Sequence, residues 1–277
     1  MLHATQTAHH TYTASRADSA APIFHLDDNG APRLSSSATI YADGAAIEID
    51  LDIRCADLEA GTDYLILAFD GELEARPFID ADLANALGGF HVAPASEGPA
   101  INPHSIWDIS FRPSCANPCG MALVTGEGID PVWVDIYLTA ADHDAKGTSR
   151  LHAPILDRID YHRACAIAGS HEKRLLTFSE FAIAAYGVAE RSSDDAKAPV
   201  TALSPDRTSQ FGLIQATGQR WVWGTDGHPD DPRASIFGGS WLYGRNAGSR
   251  YANLGVWPGN SFVVFGLRLA SDHLTTV

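Results

Sequence analysis

The stretch that most constrains this chain is residues 237–269, FGGSWLYGRNAGSRYANLGVWPGNSFVVFGLRL. Trp241, Tyr243, Tyr251, Trp257 and Phe262 are spread through Gly, Ser and Asn. They follow neither the period of 2 nor the period of 3.6 that a core strand or helix imposes. Rigid aromatics offer contact area at low entropic cost, and Ser, Gly and Asn offer adaptable hydrogen bonds. This is the composition of a binding surface. It also suits a glycine-rich loop with Trp241 buried in a core. The end of the stretch changes character: Phe265, Leu267 and Leu269 alternate with Gly266 and Arg268, which predicts a half-buried strand. A long irregular loop pinned to a terminal strand is expected.

The rest of the chain must supply the scaffold. Its 277 residues suit one large or two modest domains, and 45% hydrophobic content is enough for a core. With 24 Gly and 15 Pro, a loop-rich, β-containing architecture is expected. Residues 1–35, rich in Ala, Thr, Ser and His, read as a flexible or partner-ordered terminus, and His3, His9 and His10 as part of it. No apolar run in it has the length of a signal-peptide core or a membrane span.

Residues 36–103 read as a small β-rich domain. Thr39, Ile40 and Tyr41 precede an Asp43-Gly44 turn, and residues 46–53 alternate strictly at Ile47, Ile49, Leu51 and Ile53. Residues 64–69 form another strand candidate, ended by Asp70-Gly71. Residues 80–87 read as a short helical turn. The aperiodic stretch 93–103, with Pro, Gly and Ser, marks a boundary. A second domain then spans 104–277. Residues 121–125, 132–139 and 212–224 are its strand candidates, the last alternating around Trp221 and Trp223. A helix over 157–168 carries Tyr161, Ala164, Cys165 and Ala168 on one face, with Gly169 just past its end. A second helix has Thr177 as N-cap and Glu180 three residues on, a capping box.

Charge and chemistry exclude several functions. A net charge of −15 argues against nucleic acid or an anionic membrane as partner, and favours a basic or neutral target. Cys55, Cys115, Cys119 and Cys165 make neither a disulfide framework nor a zinc set, so free thiols are expected. There is no G-x-S-x-G motif and no phosphate-binding glycine loop. His143 lies between Asp142 and Asp144, but neighbouring side chains point apart, so a polar turn is expected. Asp226, Asp230 and Asp231 are candidate calcium ligands without EF-hand spacing, and a solvated loop is the plainer reading.

FGGSW, GSRYAN, PGNS, FGLR and SDHL, in that order, resemble the variable proteins of diversity-generating retroelements, in particular the phage tropism-determinant type. Phe111-Arg-Pro, WVDIYL, Asp142-His143 and Gly147-Thr-Ser extend the resemblance upstream, and Lys173-Arg174-Leu175 before Phe178-Ser-Glu-Phe resembles a helix entrance of the same fold. The resemblance implies an α+β chain whose C-terminal part is a C-type lectin-like domain of the formylglycine-generating-enzyme type, with a variable region of about 237–268. It implies a ligand-binding surface of diversified positions at Ser240, Leu242, Tyr243, Gly244, Arg245, Asn246, Tyr251, Asn253, Gly255, Val256, Trp257, Asn260, Phe262 and Val264. It implies a fixed scaffold that includes Phe237, Gly238, Gly239, Trp241, Gly248, Ser249, Arg250, Ala252, Pro258, Ser261, Gly266 and Arg268. Within that scaffold Arg250 is expected to hydrogen-bond loop carbonyls. The family's pattern is looser at Arg245, Tyr251, Leu254, Trp257, Val263 and Phe265, and Leu254 stands where a fixed Trp is expected.

The implied function is binding of a protein or glycan receptor on a target cell, for phage or cell-surface attachment, without catalysis or cofactor. A virion component, made in a host cytoplasm and assembled as a trimer, is expected. The alternatives are an enzyme that generates formylglycine and a structural virion or binding module of fixed specificity. The enzymes of this fold need a cysteine pair near the C-terminus, and no cysteine follows Cys165 here. Sequencing the 3′ end of the gene from a propagated population is expected to show substitutions clustered at codons 242–264, matched by a nearby template repeat rich in adenine. One invariant sequence with no template would remove diversification.

Overall fold

The structure, a computed structural model, describes residues 10–95, 98–194, 204–227 and 233–274. The chain opens with short antiparallel pieces. They are β1 (Tyr12–Ser15), β2 (Phe24–Leu26), β3 (Pro32–Leu34), β4 (Thr39–Ala42) and β5 (Ala45–Ala46). β1-β4-β5 form one small sheet and β2-β3 a hairpin. A larger antiparallel-rich sheet follows, built from β6 (Ile53–Cys55), β7 (Thr62–Phe69), β8 (Glu72–Pro77), β9 (Gly88–Ala93), β10 (Ala100–Ile101) and β11 (Trp107–Asp108). Its order is β10-β9-β7-β8-β6, with β11 also on β9. Both expected Asp-Gly turns are tight hairpin turns. Asp43 and Gly44 have φ of 52° and 84°, Asp70 and Gly71 of 49° and 85°, the left-handed pair that a two-residue connection needs.

β7 explains the middle layer. Its residues 64–67 are all buried because the sheet is covered on both faces. Tyr64 and Ile66 pack with Ile23, Phe24, Leu34 and Ile40 from the N-terminal pieces. Leu65 and Leu67 pack with Trp107, Phe111, Met121 and Trp133 from the following part of the chain. The N-terminal segment is therefore folded wherever it is described, contrary to the flexible terminus expected over 1–35; His3 and His9 lie outside the described residues. Its strands are too short to show a period, and a distant ion pair fixes them. Arg16 meets Asp108 at 2.6 Å, and Asp108 also accepts from the Ile23 N–H at 2.8 Å. Residues 46–53 form no continuous strand: β5 and β6 take up only their ends, and the stretch between makes single backbone bonds to different neighbours, Ile47 N–H to Ile40 O at 3.0 Å, Asp50 N–H to Gly71 O at 3.1 Å and Leu34 N–H to Leu51 O at 2.9 Å. Nor is 93–103 a free linker, since Ala100 and Ile101 pair back onto Ala93 and Val92.

The C-terminal part carries β12 (Met121–Val124), β13 (Val132–Asp135), α1 (His143–Lys146), α2 (Tyr161–Ser170), α3 (Phe178–Ala184), β14 (Trp221–Gly224), β15 (Ala234–Phe237), β16 (Ala252–Val256), β17 (Phe265–Gly266) and β18 (Ala270–Asp272). One sheet runs β12-β13-β18, a second β16-β15-β14-β17, with β17 parallel to β14. The capping box of α3 is complete, and Arg174 holds the Glu180 carboxylate at 2.6 Å. α2 begins at Asp160, which accepts from the Arg163 N–H at 2.8 Å. It buries Ala164, Ile167 and Ala168. Cys165, expected on the packing face, is exposed, because it lies one residue around the helix from that stripe. Gly169 is inside the last turn rather than past it. The strand expected over 212–224 is limited to β14.

The terminal strand is not half-buried either: residues 264–271 are buried throughout. Arg268 lies there with 1% of its surface exposed. Its guanidinium donates to the carbonyls of Asp135 and Ile136 at 2.6 and 2.7 Å, and to those of Ile214 and Gln215 at 2.7 and 3.1 Å. A charge without water needs such partners, and the carbonyls of Ile214 and Gln215 need such a donor, while that of Ile136 also accepts from the Ile214 N–H at 2.8 Å. Arg268→Met is expected to cost about 3 kcal/mol or more in urea unfolding, since it strands buried carbonyls. A change below about 1 kcal/mol would show the carbonyls find other donors.

Candidate functional site

The β16-β15-β14-β17 sheet forms the base of a cleft of about 510 Å³. Trp221 of β14, Ile236 of β15, Val256 at the end of β16, Val264 and Phe265 make a buried apolar floor. Behind the floor Trp223 is fully buried, with its indole N–H donating to the Ile159 carbonyl at 2.9 Å and Phe265 edge-on at 5.0 Å. The walls are Leu242, Tyr243, Asn253, Gly255, Trp257, Asn260, Phe262 and Val263. Tyr243 stands edge-on to Trp221 at 5.4 Å and Phe262 edge-on to Phe265 at 5.3 Å. These rings are anchored at one end and open to water at the other. Leu242 is 61% exposed, Phe262 54%, Trp257 53% and Tyr243 47%. Large apolar groups clustered in the open around a concave floor mark a docking surface.

The loop that carries them is held mainly by its main chain. The Gly238 N–H donates to the Tyr251 carbonyl at 2.9 Å, while the Gly238 carbonyl accepts from Gly218 and Gly248, each at 3.1 Å. Tyr243 N–H donates to Ser240 O at 2.9 Å and Asn246 N–H to Tyr243 O at 2.8 Å, which forms the tight turn after the cleft wall. The far side is tied to the start of α2 and the turn before it: the Tyr161 N–H donates to Pro258 O at 2.9 Å, and the Ser261 hydroxyl to Arg158 O at 2.7 Å. Glu190 accepts from the Ser249 N–H at 2.9 Å. Gly239 has φ of 77°, and a Cβ there would stand 2.5 Å from the Ala247 Cα, so only glycine fits. Few of these contacts depend on which side chain projects outward.

The structure brings together nine of the residues expected to be variable: Leu242, Tyr243, Asn253, Gly255, Val256, Trp257, Asn260, Phe262 and Val264 all line the cleft. Val256 and Val264 do so from the buried floor. Gly244, Arg245 and Asn246 form a short 3-10 turn beside it. Ser240 is fully buried, and Tyr251 and Trp241 are half-buried against the core. Among the scaffold residues, Gly248 is packed against Glu190 and Pro258 supplies the carbonyl for α2. Arg250 is exposed, so the carbonyl-holding role expected of it belongs to Arg268, which is buried among four backbone carbonyls. One residue escaped the sequence reading. Arg233 stacks 3.5 Å over the Trp257 ring and donates to Gly255 O at 3.1 Å. It precedes the variable stretch, and no local pattern signals a contact with a ring so far along the chain.

The other chemistry lies elsewhere. Asp142 is held by Arg150 at 2.7 Å, and His143 is buried beside the Ala140 carbonyl at the start of α1, so the expected polar turn is one turn of helix, and His143 Nε2 meets Asp144 at 3.2 Å instead of pointing away from it. Burial pushes the Cys55 thiol up to about 11 and raises those of Cys115 and Cys119, so these thiols are protonated at neutral pH. Asp226 accepts from the Phe178 N–H at the start of α3; Asp230 and Asp231 lie outside the described residues. Among the described residues no three His, Cys, Asp or Glu side chains come together to hold a metal, and no helix is long and apolar enough to cross a membrane.

No family model matches the chain. It is similar to the tail fiber receptor-binding protein of Bordetella phage BPP-1, with 30% identity over 324 aligned positions that cover 94% of this chain and 84% of the relative. Its structure is similar to that of the Major Tropism Determinant M1 variant, with a TM-score of 0.84 and 28% identity over 96% of this chain and 87% of the other. The U1 variant gives a TM-score of 0.81 and 28% identity over 95% and 86%. Two substitutions test how the loop is held. Gly239→Ala is expected to lower stability by more than about 2 kcal/mol through strain and overlap. Arg250→Ala, at an exposed position, is expected to stay within about 0.5 kcal/mol. Equal melting temperatures for the two variants would overturn this account.

Proposed function

The chain belongs to the family of phage tail-fiber receptor-binding proteins that includes the major tropism determinants, a C-type lectin-like fold, and on that premise we propose that it is a phage attachment protein whose C-terminal cleft binds a receptor on a target cell. The observation that carries this reading is the cleft itself: four exposed apolar side chains, Leu242, Tyr243, Trp257 and Phe262, stand on a loop fixed largely by backbone hydrogen bonds. Such rings dominate interface energies when a partner desolvates them. Because the loop's geometry does not depend on them, they can be exchanged by a diversifying retroelement without loss of fold.

The mechanism is binding rather than catalysis. Protonated thiols outside the cleft, and a cleft lined among the described residues by no ionisable acid or base other than Tyr243, support this over an enzyme that generates formylglycine. No metal takes part in the proposed contact. The receptor is a protein or glycan of the cell surface, and the site of action is the virion's tail. A homotrimer would join three weak clefts and raise avidity without new contacts; a mass of three chains in light scattering is the mark of that assembly.

Trp257→Ala and Phe262→Ala are each expected to reduce adsorption to the target cell at least about tenfold, with melting temperatures close to the parent's. Unfolding in either variant would show that ring to be core; undiminished adsorption by both would move the binding site elsewhere.

A further inference from the structure

The charge of the chain is not spread evenly. Acidic residues outnumber basic ones 34 to 19, yet residues 233–271 contain no Asp, Glu, Lys or His. The only charged side chains there are Arg233, Arg245, Arg250 and Arg268. Arg268 is buried in the scaffold. The other three surround the cleft segment. Arg233 lies over Trp257, Arg245 is two residues past Tyr243, and Arg250 leads into the exposed edge strand β16. Arg245 and Arg250 are exposed, and among the described residues neither is paired with a carboxylate. Among the described residues the acidic groups on flanking elements are already engaged. Asp157 is paired with Arg158 and Arg220, Asp160 caps α2 and Glu190 holds Ser249. Among the described residues the cleft is lined by no Asp, Glu, Lys, Arg or His.

We infer that the partner is a protein surface that projects an uncharged apolar side chain from an acidic surround. This rests on the reading of the cleft as the binding site. An aromatic-walled pocket favours a group that gains by leaving water, and among the described residues Asn253 and Asn260 are its only amide side chains, too few to match the hydroxyls of a sugar. Arg245 and Arg250 meet carboxylates around that group with bidentate geometry. The remainder of the chain is acidic and repels the same partner, so approach is productive only through this face. Net charge alone had pointed to a basic or neutral target; it is an average over a segregated surface. Arg250 stands outside the positions implied to vary, so its charge persists while Arg245 and the aromatic walls change.

The test uses the full chain and labelled synthetic heptapeptides: six glutamates around a central phenylalanine, the same with alanine at the centre, and six lysines around phenylalanine. The glutamate–phenylalanine peptide is expected to bind saturably, with a Kd of about millimolar. The other two are expected at least tenfold weaker, and the advantage over the lysine peptide should shrink in 1 M salt, where the screening length falls to about 3 Å. An Arg245→Glu, Arg250→Glu double variant should lose at least tenfold in affinity with its melting temperature unchanged; Arg245→Gln with Arg250→Gln should lose less. Equal or tighter binding of the lysine peptide, or no saturable binding of the glutamate–phenylalanine peptide, overturns the inference. If Phe262→Ala abolishes binding while both arginine variants keep it, the cleft stands and the acidic partner falls. If the peptide binds undiminished to both Trp257→Ala and Phe262→Ala, the cleft reading itself falls.

Discussion

The guanidinium of Arg268 is the point on which the C-terminal half depends. It ties the end of β13, the 214–215 turn and the C-terminal segment through four carbonyls. Gln215, one of its partners, has φ of 49°, a left-handed backbone that costs energy unless its surroundings fix it. From that knot the chain places β17 against β14 and β18 against β13. The cleft floor is built on β14 and β17, so the position of Trp221 and Phe265 follows from a charge buried among backbone oxygens.

The cleft applies a related rule. A surface that is to change its side chains cannot rely on them for stability. Here main-chain bonds around Gly238, the glycine-only packing of Gly239 and the ties to α2 determine the loop. Trp241 and Tyr251 lean on the core, whereas Leu242, Tyr243, Trp257 and Phe262 lean outward. Adjacent Leu242 and Tyr243 both face outward, as an irregular loop allows and a regular strand, with its obligatory alternation, would not.

The larger sheet has a different task. Covered on one face by the N-terminal hairpins and on the other by Trp107, Phe111 and Trp133, it joins the two ends of the chain into one body. His91 completes the seam, between Asp63 at 2.9 Å and the Tyr137 hydroxyl at 2.9 Å. Residues on both sides of position 103 thus share cores and hydrogen bonds.

The sequence by itself determined the features whose causes are local. The Asp-Gly hairpins, the Thr177–Glu180 capping box and strands such as β7 and β12 follow from side-chain chemistry within a few residues. The aperiodic aromatics of 237–269, with the motifs around them, likewise marked the cleft before its shape was visible. What only the tertiary structure decided were the long-range pairings. Arg16 reaches Asp108, Arg268 rather than Arg250 holds carbonyls, Arg233 lies over Trp257, and Cys165 turns outward. An exposed arginine and a buried one are the same letter in a sequence. Only the packed backbone determines which one loses its water, and therefore which one must find carbonyls instead.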